Sequence, residues 1–119
     1  MTVVRQVLGA WGERVAAQHL AEAGLRIVAR NWRCPAGEID ILAWEGDVLV
    51  VCEVKTRRGL DYGPPAGAVV HAKARRLRRL AAHWLAETGA QPAEVRFDVV
   101  SVLVRREAPT EVEHIRGAF

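Results

Sequence analysis

Two β-prone runs, residues 38–44 and 48–55, are joined through Glu45 and the dipeptide Gly46-Asp47. A two-residue connection with Gly first suits a type II′ turn, whose twist matches that of paired strands. Such a turn fixes register, because a one-residue slip would send every side chain to the other face. Glu45 then pairs with Val48. Asp40 lies five positions before Glu45, and Glu53 five after Val48. The two acids therefore face each other on one side of the hairpin, with Cβ atoms roughly 4.5–5.5 Å apart. Lys55 emerges on the same face, two residues past Glu53. A three-residue turn would instead set Asp40 against Cys52.

Like charges directly opposite each other are destabilising. Two carboxylates among Ile39, Ile41, Leu42 and the run 48–51 therefore call for a counter-charge. A hard divalent cation, magnesium or manganese, suits carboxylate oxygens, and Lys55 suits a neighbouring anion or a water nucleophile. Phosphodiester hydrolysis uses these parts: a metal to polarise the phosphoryl oxygen and acidify water, and a cation to offset developing charge. The other reading is a structural ion pair, in which Lys55 meets Glu53 or Glu38 and Asp40 accepts backbone hydrogen bonds.

Around the hairpin, the spacing of Leu8, Trp11, Val15, His19, Leu20 and Ala23 predicts a helix over 8–23, stopped by Gly24. Residues 25–32 are β-prone, and Cys34-Pro35-Ala36-Gly37 signals a turn. Along residues 38–44 simple alternation puts Ile39, Ile41 and Ala43 on one side. A Gly- and Pro-rich loop is expected over 56–65. A second helix is expected over 66–87, with Val70, Leu77, Leu80, Ala81 and Trp84 on one stripe and Gly89 beyond its end. Residues 95–104 form a nearly continuous apolar strand of the buried kind, and 111–115 an edge strand. The order α-β-β-β-α-β-β, with a βαβ unit at its centre, implies an α/β fold: a mixed sheet of about five strands flanked by helices. At 119 residues, with no repeat or linker, residues 1–119 read as one domain.

The formal net charge of +3 conceals an asymmetry. Residues 55–79 hold eight basic residues against Asp61 alone, whereas the rest of the chain holds nine basic and thirteen acidic. Such a segment supplies phosphate contacts to nucleic acid, or else a solvated Arg-rich helix face. Other classes fall away. No run approaches the ~18 apolar residues of a membrane span, and no signal-peptide core opens the chain, so a cytoplasmic location is expected. The two Cys, 18 positions apart, make neither a disulfide framework nor a zinc half-site. The one Ser is not in a GxSxG elbow.

Gly37-Glu38-Ile39-Asp40-Ile41-Leu42, followed by Glu53-Val54-Lys55-Thr56-Arg57, resembles the PD-(D/E)xK nuclease signature. The chain is most similar to the YraN family of small bacterial endonuclease-like proteins. Leu8-Gly9-Ala10-Trp11-Gly12-Glu13 with Ala16 resembles that family's opening helix. Tyr62-Gly63-Pro64-Pro65, Ala68-Val69, Lys73 and Arg76 resemble its middle block, and Arg96-Phe97-Asp98-Val99 its late strand. The family's usual acid before Ala-Val is Gly67 here. The resemblance implies a restriction-endonuclease-like fold, shared with archaeal Holliday-junction resolvases. It implies a metal-dependent endonuclease acting on DNA, with branched or repair intermediates among its substrates. The alternative is a nucleic-acid-binding protein that keeps the fold without catalysis. Carried over, Asp40 and Glu53 hold the metal, Lys55 positions or activates water, and Glu13 of the first helix joins them as a catalytic and metal-binding acid. Glu13 also reads as an ordinary surface acid near a helix N-terminus. The resemblance admits a homodimer, since many members of this fold cut two strands.

Lys73 falls within the apolar arc of the second helix, near its start, and reaches a substrate phosphate or snorkels past the helix end. Arg75, Arg76, Arg78 and Arg79 lie outside that arc as candidate phosphate contacts. Arg57 continues the Glu53–Lys55 face toward phosphate or faces solvent. Asp98, in an apolar strand, reads as a hydrogen-bonded structural acid, and Trp11 and Trp84 as core.

Overall fold

The computed structural model describes residues 3–59 and 71–119, and their side chains except those of 3–5, 71 and 72. Seven elements follow in order: α1 (Val3–Glu22), β1 (Arg26–Cys34), β2 (Gly37–Glu45), β3 (Val48–Arg58), α2 (His71–Thr88), β4 (Glu94–Val104) and β5 (Glu111–Ile115). They form one five-stranded sheet in the order β1-β2-β3-β4-β5. β3 and β4 are parallel across the α2 crossover, and the other neighbours are antiparallel. This is the mixed α/β architecture expected from the sequence. The loop expected over 56–65 is corrected at its start, because Thr56, Arg57 and Arg58 continue β3 in register with β4; its segment 60–65, the block Tyr62-Gly63-Pro64-Pro65 with Ala68-Val69, and the first residues of the second helix lie outside the described residues.

Glycines end both helices as anticipated. Gly24 has φ 99°, and the amides of Gly24 and Leu25 donate to the carbonyls of Ala21 and Leu20, a Schellman closure. Gly89, at φ 72°, donates to the Leu85 carbonyl. The β2–β3 turn is the II′ type: Gly46 has φ 62° and Asp47 is not in the left-handed region. Glu45 pairs with Val48, and the ladder runs in register to Ile41 and Cys52.

Each face of the sheet carries its own apolar cluster. Ala16, Ala17 and Leu20 of α1 pack on Ile41, Ala43, Val50, Cys52, Val100 and Val102. Leu77, Leu80, Ala81 and Trp84 of α2 pack on Ile39, Leu42, Leu49 and Val51. Burial of each large side chain in these clusters is worth about 1.5–3 kcal/mol. The run 49–52 is buried on both faces, which is why β3 reads as continuously apolar.

A second expectation is corrected. Ile39 does not share a side with Ile41 and Ala43; it packs under α2 and they pack under α1. The alternation of β2 breaks at Asp40. On the β1 side the register passes from Arg30↔Ile41 to Trp32↔Ile39, leaving Asn31 and Asp40 unpaired, and Asn31 has φ 52°. Asn is among the few residues that tolerate this left-handed conformation.

Candidate functional site at the end of the central hairpin ladder

Asp40 lies one step beyond the last pair of the β2–β3 ladder. Its Oδ2 accepts a hydrogen bond from the Val54 amide at 2.9 Å, where a continued ladder would place a main-chain oxygen. Glu53 projects from β3 on the α2 side, with Leu49 and Val51. Asp40 and Glu53 therefore come to one cavity, although the ladder ends at Ile41↔Cys52 and does not itself pair them. A cavity of about 220 Å³ is lined by Glu38, Asp40, Cys52, Glu53, Arg76 and Leu77.

Two lysines meet Glu53 from different elements. Lys73 Nζ of α2 is 2.6 Å from Glu53 Oε1, and Lys55 Nζ of β3 is 3.9 Å from the same oxygen. Lys73 thus points into the site. Among the described residues, the other oxygen, Glu53 Oε2, is buried with no hydrogen-bond partner. A buried carboxylate oxygen without a donor costs at least about 1–3 kcal/mol, so the arrangement is incomplete from the protein's side.

Electrostatics reinforce this. Burial pushes the Asp40 carboxyl up to about 6, and the charges of Glu13, Glu53 and Glu38 push the same way against the Val54 hydrogen bond. Burial also lifts Glu13 above the ordinary carboxylate value, opposed by a hydrogen bond from the Asn31 side chain. The adjoining Lys73 ammonium holds Lys55 below the usual lysine value, and burial adds to the effect. Lys73 is raised in turn: burial opposes its charge, but hydrogen bonds with Glu53 and Lys55 outweigh it.

Asp40, Glu53, Lys55 and Lys73 are brought together. Glu13 approaches from α1 and acts on Asp40 through its charge. Among the described residues, no three His, Cys, Asp or Glu side chains surround one ion-sized point. The arginines of α2 separate: Arg76 lines the cavity, Arg75 and Arg79 are exposed, and Arg78 lies over the Phe97 ring at 5.7 Å. Arg57 sits on β3 beyond Lys55, opposite Leu103 of β4. Sequence reasoning missed Glu38 as a site residue and Asn31 altogether. Glu38 stands two positions before Asp40 and lines the same cavity.

Two carboxylates, one with an unpartnered oxygen and one resisting ionisation, are a donor set that magnesium or manganese suits. Such ions commonly take one or two protein carboxylates and fill the remaining positions with water and phosphate.

Asp98 belongs elsewhere. It is fully buried and accepts two hydrogen bonds from Arg96, one from the Gly117 amide, and a contact of 2.7 Å from His114 Nε2. Arg96 and Arg116 both reach Glu45. Burial raises Asp98, but these partners hold it below the ordinary aspartate value. It is the structural acid anticipated. Trp84 is buried and meets Trp44 edge-on, and Trp11 packs against the α1 cluster.

Comparison with known proteins bears on this geometry. Residues 12–102 match the model of a family described as "Uncharacterised protein family UPF0102". A UPF0102 protein of Parafrankia sp. (strain EAN1pec) is 60% identical over 116 residues, covering 98% of each chain. One from Rhodococcus jostii (strain RHA1) is 54% identical over 112 residues, covering 94% of this chain and 95% of its own. One from Frankia casuarinae is 55% identical over 115 residues, covering 97% and 98%. Among the described residues, no helix is long and apolar enough to cross a membrane.

Proposed function

The chain belongs to the UPF0102 family, the YraN-like proteins, and we propose that it is a metal-dependent endonuclease hydrolysing phosphodiester bonds in DNA. The observation that carries this reading is the meeting of Asp40 and Glu53 on one cavity just beyond the end of the ladder, with Glu53 Oε2 buried and, among the described residues, unpartnered beside Lys55 and Lys73.

Asp40 and Glu53 are the residues that would hold magnesium or manganese. When bound, the ion polarises a phosphoryl oxygen and lowers the pKa of water. Lys55, beside Glu53, is placed to orient the attacking water, whose proton passes to solvent. The water oxygen bonds to phosphorus as the ester P–O bond breaks, and the leaving oxygen takes a proton from solvent. Lys73 and Arg76 offer donors to the non-bridging oxygens and offset the charge of the transition state. Glu13 tunes Asp40 by charge from the α1 side. Arg75 and Arg79, exposed on α2, and Arg57 on β3 extend phosphate contacts away from the reacting centre. A cytoplasmic protein, and a homodimer presenting one site to each strand, belong to the same reading.

The test is a panel of labelled duplex, single-stranded, flap and four-way DNA with magnesium or manganese. Cleavage that Asp40→Asn abolishes supports the proposal. Failure to cut any substrate, or cutting indifferent to that change, overturns it.

A second reading is favoured by one observation: Lys73, at 2.6 Å, already meets Glu53's need for a counter-charge. On that basis the chain binds nucleic acid without turnover. It then shows salt-sensitive binding with no manganese uptake in calorimetry.

A further inference from the structure

The central strand pair ends in a second concavity. A hollow of about 620 Å³ is lined by Arg58 and Gly59 at the end of β3, and by Val104, Arg105 and Arg106 at the end of β4. Parallel register sets Arg58 beside Val104, and the Gly59 amide closes on the Val104 carbonyl at 2.7 Å. Three arginines therefore line one opening. Arg105 is held by Glu111 of β5 at 2.9 Å. Among the described residues, neither Arg58 nor Arg106 has an acidic partner, and both are exposed.

Clustered like charges repel and contribute nothing to the fold. They do create a local positive field that an anion relieves. The planar fork of Arg matches two oxygens of a phosphate, so the chemistry that fits is a chain of phosphates. Position narrows which chain. Arg58 follows Glu53 by five residues on the same strand, an odd spacing that turns it to the α1 face while Glu53 lies on the α2 face, so a strand bound at both crosses the end of the sheet. At about 3.3 Å per residue the separation along the strand is roughly 16 Å, close to the axial rise of five base pairs at about 3.4 Å each. Lys55 and Arg57 lie between them on β3.

We propose that the hollow between Arg58, Arg105 and Arg106 is a second nucleic-acid backbone contact, which grips the phosphates about five nucleotides from the Asp40–Glu53 site. This rests on the nuclease reading for the identity of the ligand and adds where its strand runs. Among the described residues no carboxylate lines the hollow, and the proposal assigns it binding without chemistry.

The experiment measures fluorescence anisotropy of labelled DNA duplexes of two lengths, one spanning only the Asp40–Glu53 site and one long enough to reach both. The protein carries Asp40→Asn so that cutting does not intrude, and KCl is varied. Adding Arg58→Gln with Arg106→Gln is expected to weaken binding of the long duplex about tenfold or more at moderate salt. The slope of log affinity against log salt should shrink by roughly 2, about one unit per lost phosphate contact. Short-duplex binding should change little, and an unchanged thermal melt shows that the exposed substitutions leave the fold intact. If the double variant binds the long duplex with unchanged affinity and slope while Arg75→Gln with Arg79→Gln still weakens it, the hollow is off the path. The nuclease reading survives that result. If neither duplex binds the parent protein, both inferences fall together.

Discussion

Replacing Asp40 with asparagine removes a charge that the folded chain holds against burial and three neighbouring acids. A carboxyl at about 6 in place of 3.8 marks an ionised folded state disfavoured by about 3 kcal/mol at neutral pH. Partial solvent screening brings a working figure to about 1–2 kcal/mol. The sign follows from proton counting. Between those two pH values the folded chain binds more protons than the unfolded one, so stability is full below about pH 3.8 and falls as pH rises through about 6. Asparagine has no charge to bury and keeps an oxygen for the Val54 amide. Asp40→Asn should therefore be more stable than the parent at pH 7.5 in EDTA, with the gap cut to about a third at pH 4.5. Urea unfolding at the two pH values reads the difference as a midpoint shift of about 1 M. Manganese should stabilise only the parent and narrow the gap. A variant no more stable at pH 7.5 than at pH 4.5, relative to the parent, refutes the reasoning.

Other outcomes follow from the same contacts. Lys73→Met should strengthen manganese binding in calorimetry by removing the cation that occupies Glu53 Oε1, and should slow cleavage by removing a phosphate donor. Gly12→Ala should cost about 1–3 kcal/mol in chemical denaturation, because a Cβ there collides with the Thr56 side chain; Thr56→Ala should recover part of the loss. Asp98→Ala, which leaves Arg96 with Glu45 alone and the Gly117 amide without its acceptor, should lower stability by about 1–3 kcal/mol. Asp98 is held below its ordinary value, so its contribution is present above about pH 4 and disappears as pH falls through the depressed value; differential urea titration of parent and variant shows that window. Arg76→Ala should lower cleavage far more than Arg78→Ala, since Arg76 lines the cavity and Arg78 stacks on Phe97; single-turnover rates compare them.

The hairpin register was legible because Gly46 admits so few turn geometries, and from it followed the meeting of Asp40 and Glu53. The βαβ crossover was legible because residues 95–104 are apolar on both faces. What lay hidden depended on departures from regularity. Simple alternation could not show that Ile39 turns away from Ile41, because the interruption needs a left-handed Asn31 on another strand. Four α2 arginines look equivalent in sequence, and only docking of the helix separates Arg76, over the cavity, from Arg78, over Phe97. Likewise, the spacing of Lys73 left two destinations open, and packing of Leu77 and Leu80 against the sheet decided for Glu53.

The gap in β2 at Asp40 joins two layers that the sheet otherwise insulates. Through it, an acid on one helix and a base on the other act on the same hairpin. Loosening the packing beneath either helix should therefore register as a changed proton affinity at a single aspartate, making Asp40 an internal reporter of how tightly both sides of the molecule are assembled.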